Sequence, residues 1–454
     1  MPRTALSPLP LSTALLLACC LLPAAAAARP AAVAQTAPQR SHKIVAEDYF
    51  SLAWIIDVAL SPDGSQAVYA EMRWEPPEKT RNIDLWLVRV ASGARSRLTF
   101  DFAADSGPQW SPDGRWIYFG SARKRGGEQR PPLDGKRQVW RIRPDGTDLS
   151  AVTRVRKGVG AFQLGAAGKQ LYYVVSEEHV ADDAWKKLRK AHSKLTYGDG
   201  VEEMSQLWRL DLAQWRETKV IDDKRVIGDF HVSADGRRVA MKTTPSNKLI
   251  YNEGHSRIDI WDKRTNKVTP LADELWRAKA PSPYGWLLAP RWSDDGKRLG
   301  FRIDFDGFPG ETFVASFDDA GWVGTQKLAR KWEIHGEGGR LRWLPGTHDL
   351  CLLADSQAQG RVYCVRGVDV QKHGDTDIFT AAETGDVATF DVGGRGQVVF
   401  VLGDLTHTPD VFVASRPGPT YTRLTNINPQ VDTWQLPSIE RVRFKSRDGT
   451  EVEG

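Results

Sequence analysis

Several things are scarce or missing in this chain. Only four of its 454 residues are cysteines, and two of them, Cys19 and Cys20, lie in an apolar N-terminal stretch. Beyond that stretch no apolar run is long enough to span a membrane. Charge of one sign is also short: 62 basic against 57 acidic side chains leave +5, too little to steer the chain toward nucleic acid or an anionic membrane. No Gly-x-Ser-x-Gly appears, so the strained elbow that exposes a nucleophilic serine is missing. There is no His-Glu-x-x-His and no phosphate-cradling Walker loop. Gly158-Val159-Gly160 lacks the spacing of a dinucleotide loop. These absences leave no cofactor, metal or catalytic residue to assign.

The N-terminus has the layout of an export signal. Arg3 supplies the positive region, Leu11 to Leu22 the apolar core, and an alanine-rich stretch follows. Ala26-Ala27-Ala28 and Ala32-Val33-Ala34 both fit the small-residue cleavage rule, and the second is favoured, making 1–34 the signal peptide and Gln35 the mature start. Leu16-Leu17-Ala18-Cys19 matches a lipoprotein box, but the apolar run continues past the cysteine. Removal of residues 1–34 takes away Arg3 and Arg29 and no acid, leaving a mature charge of +3. A periplasmic or secreted location is expected.

What is abundant is one turn. Ser61-Pro62-Asp63-Gly64 returns as Ser111-Pro112-Asp113-Gly114, Ser233-Ala234-Asp235-Gly236 and Ser293-Asp294-Asp295-Gly296. Ser at the first position, Pro with its preset φ at the second and Gly at the fourth suit a type I turn, and strand-like sequence flanks each copy. Weaker copies end at Gly168, Thr347 and Gly396, so the last turn residues fall at 64, 114, 168, 236, 296, 347 and 396. Each slot is followed by a second strand signature such as Leu85-Trp86-Leu87-Val88 or Val139-Trp140-Arg141-Ile142. Four short strands per roughly 50 residues is the period of a propeller blade. The fold expected is all-β, a seven-bladed β-propeller over 49–425, after an extension at 35–48. The longest step, into the fourth copy, holds a charged insertion, Ala181 to His192, read as a short amphipathic helix.

Other candidates are weaker. Trp261-Asp262 imitates a WD signature and Asp304-Phe305-Asp306-Gly307 a calcium loop, but neither has its required partners. Glu177-Glu178 and Glu202-Glu203 could capture a peptide amino group or simply be solvated. Cys351 and Cys364 flank a hairpin centred on Gln357 and Ala358, so they face each other across it. They form either a disulfide, which an exported chain permits, or two small buried thiols.

One column stands out. Two residues before each turn the predicted innermost strands carry Ala59, Gln109, Gln163, His231, Arg291, Arg342 and Asp391, while their neighbours are mostly apolar. Alternation puts the polar set on the opposite strand face. These side chains either line the central tunnel or bond blade to blade.

After 425 a linker, 426–438, leads to a new strand-turn-strand, Glu440 to Glu453, where the sequence stops. A lone hairpin is marginal, so a following domain is expected. Leu424-Thr425-Asn426 and Phe444-Lys445-Ser446-Arg447-Asp448-Gly449-Thr450, after Ser-Pro-Asp-Gly blades, resemble the prolyl oligopeptidase family, in its acylaminoacyl-peptidase and dipeptidyl-peptidase-like branch. The resemblance implies that 439–454 opens an α/β-hydrolase domain whose Ser-Asp-His triad lies outside this sequence. It implies a non-catalytic propeller that admits short peptides and excludes folded proteins. A stand-alone TolB-like binding propeller, with protein partners, shares the blade turns and is the alternative.

Overall fold

A computed structural model describes residues 40–75, 80–165, 167–177, 190–192, 203–244, 254–277, 282, 285–305, 307–329, 335–356, 359–368, 376–379, 385–415, 417–438, 440 and 442–454. The expected signal peptide, nearly all of the insertion helix, Glu178, Glu202 and the hairpin tip at Gln357 and Ala358 lie outside the described residues.

The four strong turns form for reasons visible atom by atom. In each, the Gly N–H donates to the Ser carbonyl, at 2.8 Å in Ser61–Gly64 and 2.9 Å in Ser111–Gly114. Gly takes φ of +65 to +69°, a region costly for any other residue. The Ser hydroxyl donates to the Asp carboxylate and accepts the N–H of the residue five further on, Gln66, Trp116, Arg238 or Arg298, at 2.9–3.0 Å. All four serines are buried. Ser and Asp thus satisfy groups that a tight turn would leave unpaired.

Seven antiparallel four-stranded sheets follow in order along the chain. Their first strands are Trp54–Leu60, Asp105–Trp110, Phe162–Gly165, Ile227–Val232, Gly285–Trp292, His335–Trp343 and Asp386–Val392. A single pairing, Gly310 with Gly336, joins the fifth and sixth sheets. Each blade is a meander in chain order, so among the described residues no strand from the start of the chain completes the last blade.

Apolar packing lies between blades. Seven buried clusters are present among the described residues, one at each blade junction. One joins the ends of the ring, packing Ala53, Val58, Leu60 and Tyr69 of blade 1 against Val399, Val401, Val411 and Val413 of blade 7. A strap completes that junction. The Asn428 side chain accepts the Ala53 N–H at 2.8 Å and donates to the Ala53 carbonyl at 2.9 Å. His42 and Trp434 form a parallel bridge, and a short 3-10 helix, Pro429–Thr433, lies between these contacts. The segment 426–438, expected as a linker, therefore packs in part on blade 1.

The meander gives the ring two unlike faces. Ser-Pro-Asp-Gly turns and the turns between third and fourth strands occupy one. Blade-to-blade connections and both ends of the propeller occupy the other.

Cys351 and Cys364 are directly opposed across antiparallel strands of blade 6 and joined as a disulfide. The last turn, Ser446-Arg447-Asp448-Gly449, connects a separate exposed hairpin, Arg443–Lys445 with Glu451–Glu453. Its Asp448 carboxyl is held down at about 2, chiefly by the Ser446 hydroxyl and the Thr450 N–H. No helix among the described residues is long and apolar enough to cross a membrane.

Candidate functional site

The polar column is an inter-blade stapling system. Gln109 donates to the Phe162 carbonyl at 2.9 Å and accepts the Leu164 N–H at 3.3 Å. Gln163 accepts the Val232 N–H at 2.8 Å, His231 Nδ1 the Trp292 N–H at 3.0 Å, and Asp391 the Leu60 N–H at 3.0 Å. In all four cases an acceptor in one blade takes the N–H just after the column residue of the next. Ala59 and Arg291 cannot accept with their side chains, and there the next blade supplies a tryptophan. Trp110 Nε1 donates to the Ala59 carbonyl at 3.1 Å and Trp343 Nε1 to the Arg291 carbonyl at 2.8 Å. The junction between blades 6 and 7 uses a charge pair, Arg342 Nε to Asp391 at 2.7 Å.

A second layer, which sequence reading missed, lies one step earlier on the inner strands. Six of the seven first strands carry a register irregularity there. In blade 3 the N–H of Gly160 and the carbonyl of Ala161 both pair with Val174. Such bulges turn a side chain out of the regular alternation, which hides it from a period-2 reading. Asp57, Asp229, Arg340 and Thr389 occupy these positions. Arg340 donates to Asp57 at 2.7 Å and to Thr389, so it ties blade 6 to blades 7 and 1. Arg291 pairs with Asp229 at 3.2 Å.

Three arginines and three aspartates thus gather at the inner ring around one histidine. About a fifth to a quarter of each arginine side chain meets solvent, yet protein encloses the ring on every side, so charge is poorly solvated there. Burial lowers the pKa of Arg291 and of Arg340, opposed mainly by Asp229 and Asp57 respectively. His231 is held well below its usual range by burial first, then by Arg291 and Arg342. It is neutral near pH 7. Because Nδ1 accepts a backbone N–H, the ring proton resides on Nε2.

A third repeated device was also unread. The Thr99, Thr153 and Thr425 hydroxyls each accept a backbone N–H, from Leu85, Val139 and Val411, at 2.9 Å. Each pairs with a buried Asp84, Gln138 or Asp410, the residue just before that N–H donor in the blade's third strand. An apolar residue followed by Thr in Leu98-Thr99, Val152-Thr153 and Leu424-Thr425 was the available signal. These residues bond within their own blades. Of the acidic pairs, Glu177 bonds Gln206 and is engaged in its own blade. Among the described residues no His, Cys, Asp and Glu gather as a metal site.

Comparison with known proteins gives the fold a context. No family model matches the chain. Dipeptidyl-peptidase 5 of Porphyromonas endodontalis is 24% identical over 292 residues, covering 59% of this chain and 40% of that protein. An uncharacterized protein of Agrobacterium fabrum is 31% identical over 122 residues, 27% of this chain and 36% of the relative. The chain therefore spans about two fifths or less of these curated relatives. Among solved structures, Pyrococcus horikoshii acylaminoacyl peptidase superposes with a TM-score of 0.61 at 12% identity, over 90% of this chain and 58% of that one. The β-propeller domain of the trilobed protease from Pyrococcus furiosus, described as having an open velcro topology, gives 0.54 at 12% identity over 83% of this chain and 96% of that one. The fold is the seven-bladed propeller found in these peptidases.

Proposed function

We propose that this chain is the non-catalytic propeller of an exported peptidase of the prolyl oligopeptidase type. In this reading it sits over a Ser-Asp-His hydrolase domain and admits short peptides to it. The observation that carries the reading is the 292-residue sequence similarity to dipeptidyl-peptidase 5, which extends the likeness beyond fold. The inner ring suits a selective passage. Gln109, Gln163, His231, Arg291, Arg342 and Asp391 line it, and their staples keep neighbouring blades together so that only an extended chain passes. The N-terminal signal carries the protein to the periplasm or beyond, where the Cys351–Cys364 disulfide is stable.

Two measurements test this. The purified chain is expected to leave aminoacyl and dipeptidyl chromogenic substrates uncleaved; turnover abolished by a serine-directed inhibitor would overturn its non-catalytic role. The coding DNA beyond the Gly454 codon, read in all three frames, is expected to contain Gly-x-Ser-x-Gly followed by Asp and His. A clean stop with no such remnant would favour a self-sufficient binding propeller instead.

A further inference from the structure

An arginine-rich cleft opens between blades 1 and 2 on the turn-bearing face, away from the His42–Trp434 bridge. Its volume is about 510 Å³, within the range of small-molecule sites. Blade 1 contributes Arg89 and Arg95, which flank the turn between its third and fourth strands. Blade 2 contributes Arg115, just after the Ser111–Gly114 turn, and Arg143 at the end of its third strand. Gln66 and Ser96 add polar groups, and Leu87, Ala94 and Pro144 add apolar surface.

Charge in this cleft is unbalanced. Asp145 is the only acid lining the cleft. Arg143 is the only one of the four arginines in an ion pair with a described carboxylate, to Asp148 at 2.6 Å. The inner ring, by contrast, matches three arginines with three aspartates. Tryptophans back two of these cations. The Arg95 guanidinium lies 5.7 Å from the Trp86 ring centre and that of Arg143 4.5 Å from Trp116. Stacking of this kind restrains a guanidinium while leaving its edge for hydrogen bonds. Arg95 turns one N–H toward the Tyr69 hydroxyl and Arg143 Nε spends one on Asp148, and their remaining N–H groups are available to an acceptor. Two opposed walls, each with two guanidiniums, suit planar, bidentate recognition of oxyanions.

We infer that this cleft is a binding site for a ligand carrying at least two phosphoryl groups, one held by each arginine pair. The site is independent of any peptidase role, since it lies on the opposite face from the His42–Trp434 bridge and uses no inner-ring residue.

The test is calorimetric titration of the full chain with inorganic pyrophosphate, at ionic strength held constant with sodium chloride. One saturable site is expected, with monophosphate binding at least tenfold more weakly. Arg89→Gln combined with Arg115→Gln removes one exposed, ion-pair-free cation from each wall. It is expected to weaken pyrophosphate binding at least tenfold while leaving the unliganded melting temperature unchanged. Arg154→Gln with Lys157→Gln removes the same charge from the connection between blades 2 and 3, on the other face, and should leave binding intact. Three results would each overturn the proposal: no saturable heat, equal binding by the Arg89/Arg115 variant, or an equal loss in the Arg154/Lys157 control.

Discussion

Arg340 of blade 6 reaches past the inner strand of blade 7 to bond Asp57 of blade 1 at 2.7 Å. With no strand exchanged between the first and last blades among the described residues, this pair and the Asn428 clamp span the one junction that chain connectivity leaves open. Fully buried pairs cost several kcal/mol to break; this one is partly solvated. Arg340→Ala is expected to lower unfolding free energy by about 2 kcal/mol. A double-mutant cycle with Asp57→Ala in urea denaturation should show positive coupling, and additive losses would mean that the pair does not hold the ring.

His231 has a natural substitute in its own column. Gln163 performs the same acceptor task one blade earlier, so His231→Gln should fold normally. His231→Leu strands the Trp292 N–H and should cost about 1–3 kcal/mol. The pH response follows from the depressed folded pKa. Below about 6.5 the unfolded chain takes up a proton that the folded chain refuses, so stability is lost as pH falls through that range. His231→Gln should remove this contribution, so the variant's own acid limb is shallower and the wild-type-minus-variant difference falls as pH drops below about 6.5.

Asp84 contributes with the opposite sign. Burial raises its carboxyl to about 6, with Arg97 opposing. The folded chain keeps a proton that the unfolded chain releases near 4, so the Asp84 contribution declines as pH rises from about 4 to about 6. Asp84→Asn should lack this decline. Its loss of the Arg97 charge partner adds an offset, so the slope of the difference curve is the quantity to read.

Ser111→Ala removes the acceptor of the Trp116 N–H and a donor to Asp113. A cost of about 1–3 kcal/mol is expected in chemical denaturation. Ser446→Ala alters the same turn in the exposed hairpin, and it should leave the main transition where it is.

The Cys351–Cys364 disulfide closes a loop of 13 residues, which in the chain-entropy view is worth about 3 kcal/mol. Cys351→Ser with Cys364→Ser should lower the denaturation midpoint accordingly. Reductant should lower the wild-type midpoint and leave the double variant unmoved.

Much of this architecture was legible because propeller blades are local. Ser61, Asp63 and Gly64 form their turn with partners no more than five residues away, so each copy carries its own complete signal. The facing of Cys351 and Cys364 could be read similarly, as hairpin register follows from loop position. The polar column was visible as residues but undecided in role, because its partners lie in the next blade. Arg340 and Asp57 were invisible, since bulges break the period-2 pattern and their contact spans 283 positions.

By itself, the sequence determined blade number, turn chemistry and the face on which each regular strand residue lies, since all three depend on contacts within a few residues. Only the tertiary structure decided how the ring closes, which column members accept and which donate, and where four arginines become one cleft. Those outcomes require blades to be set side by side, and the Coulomb and desolvation effects that tune them act through space rather than along the chain.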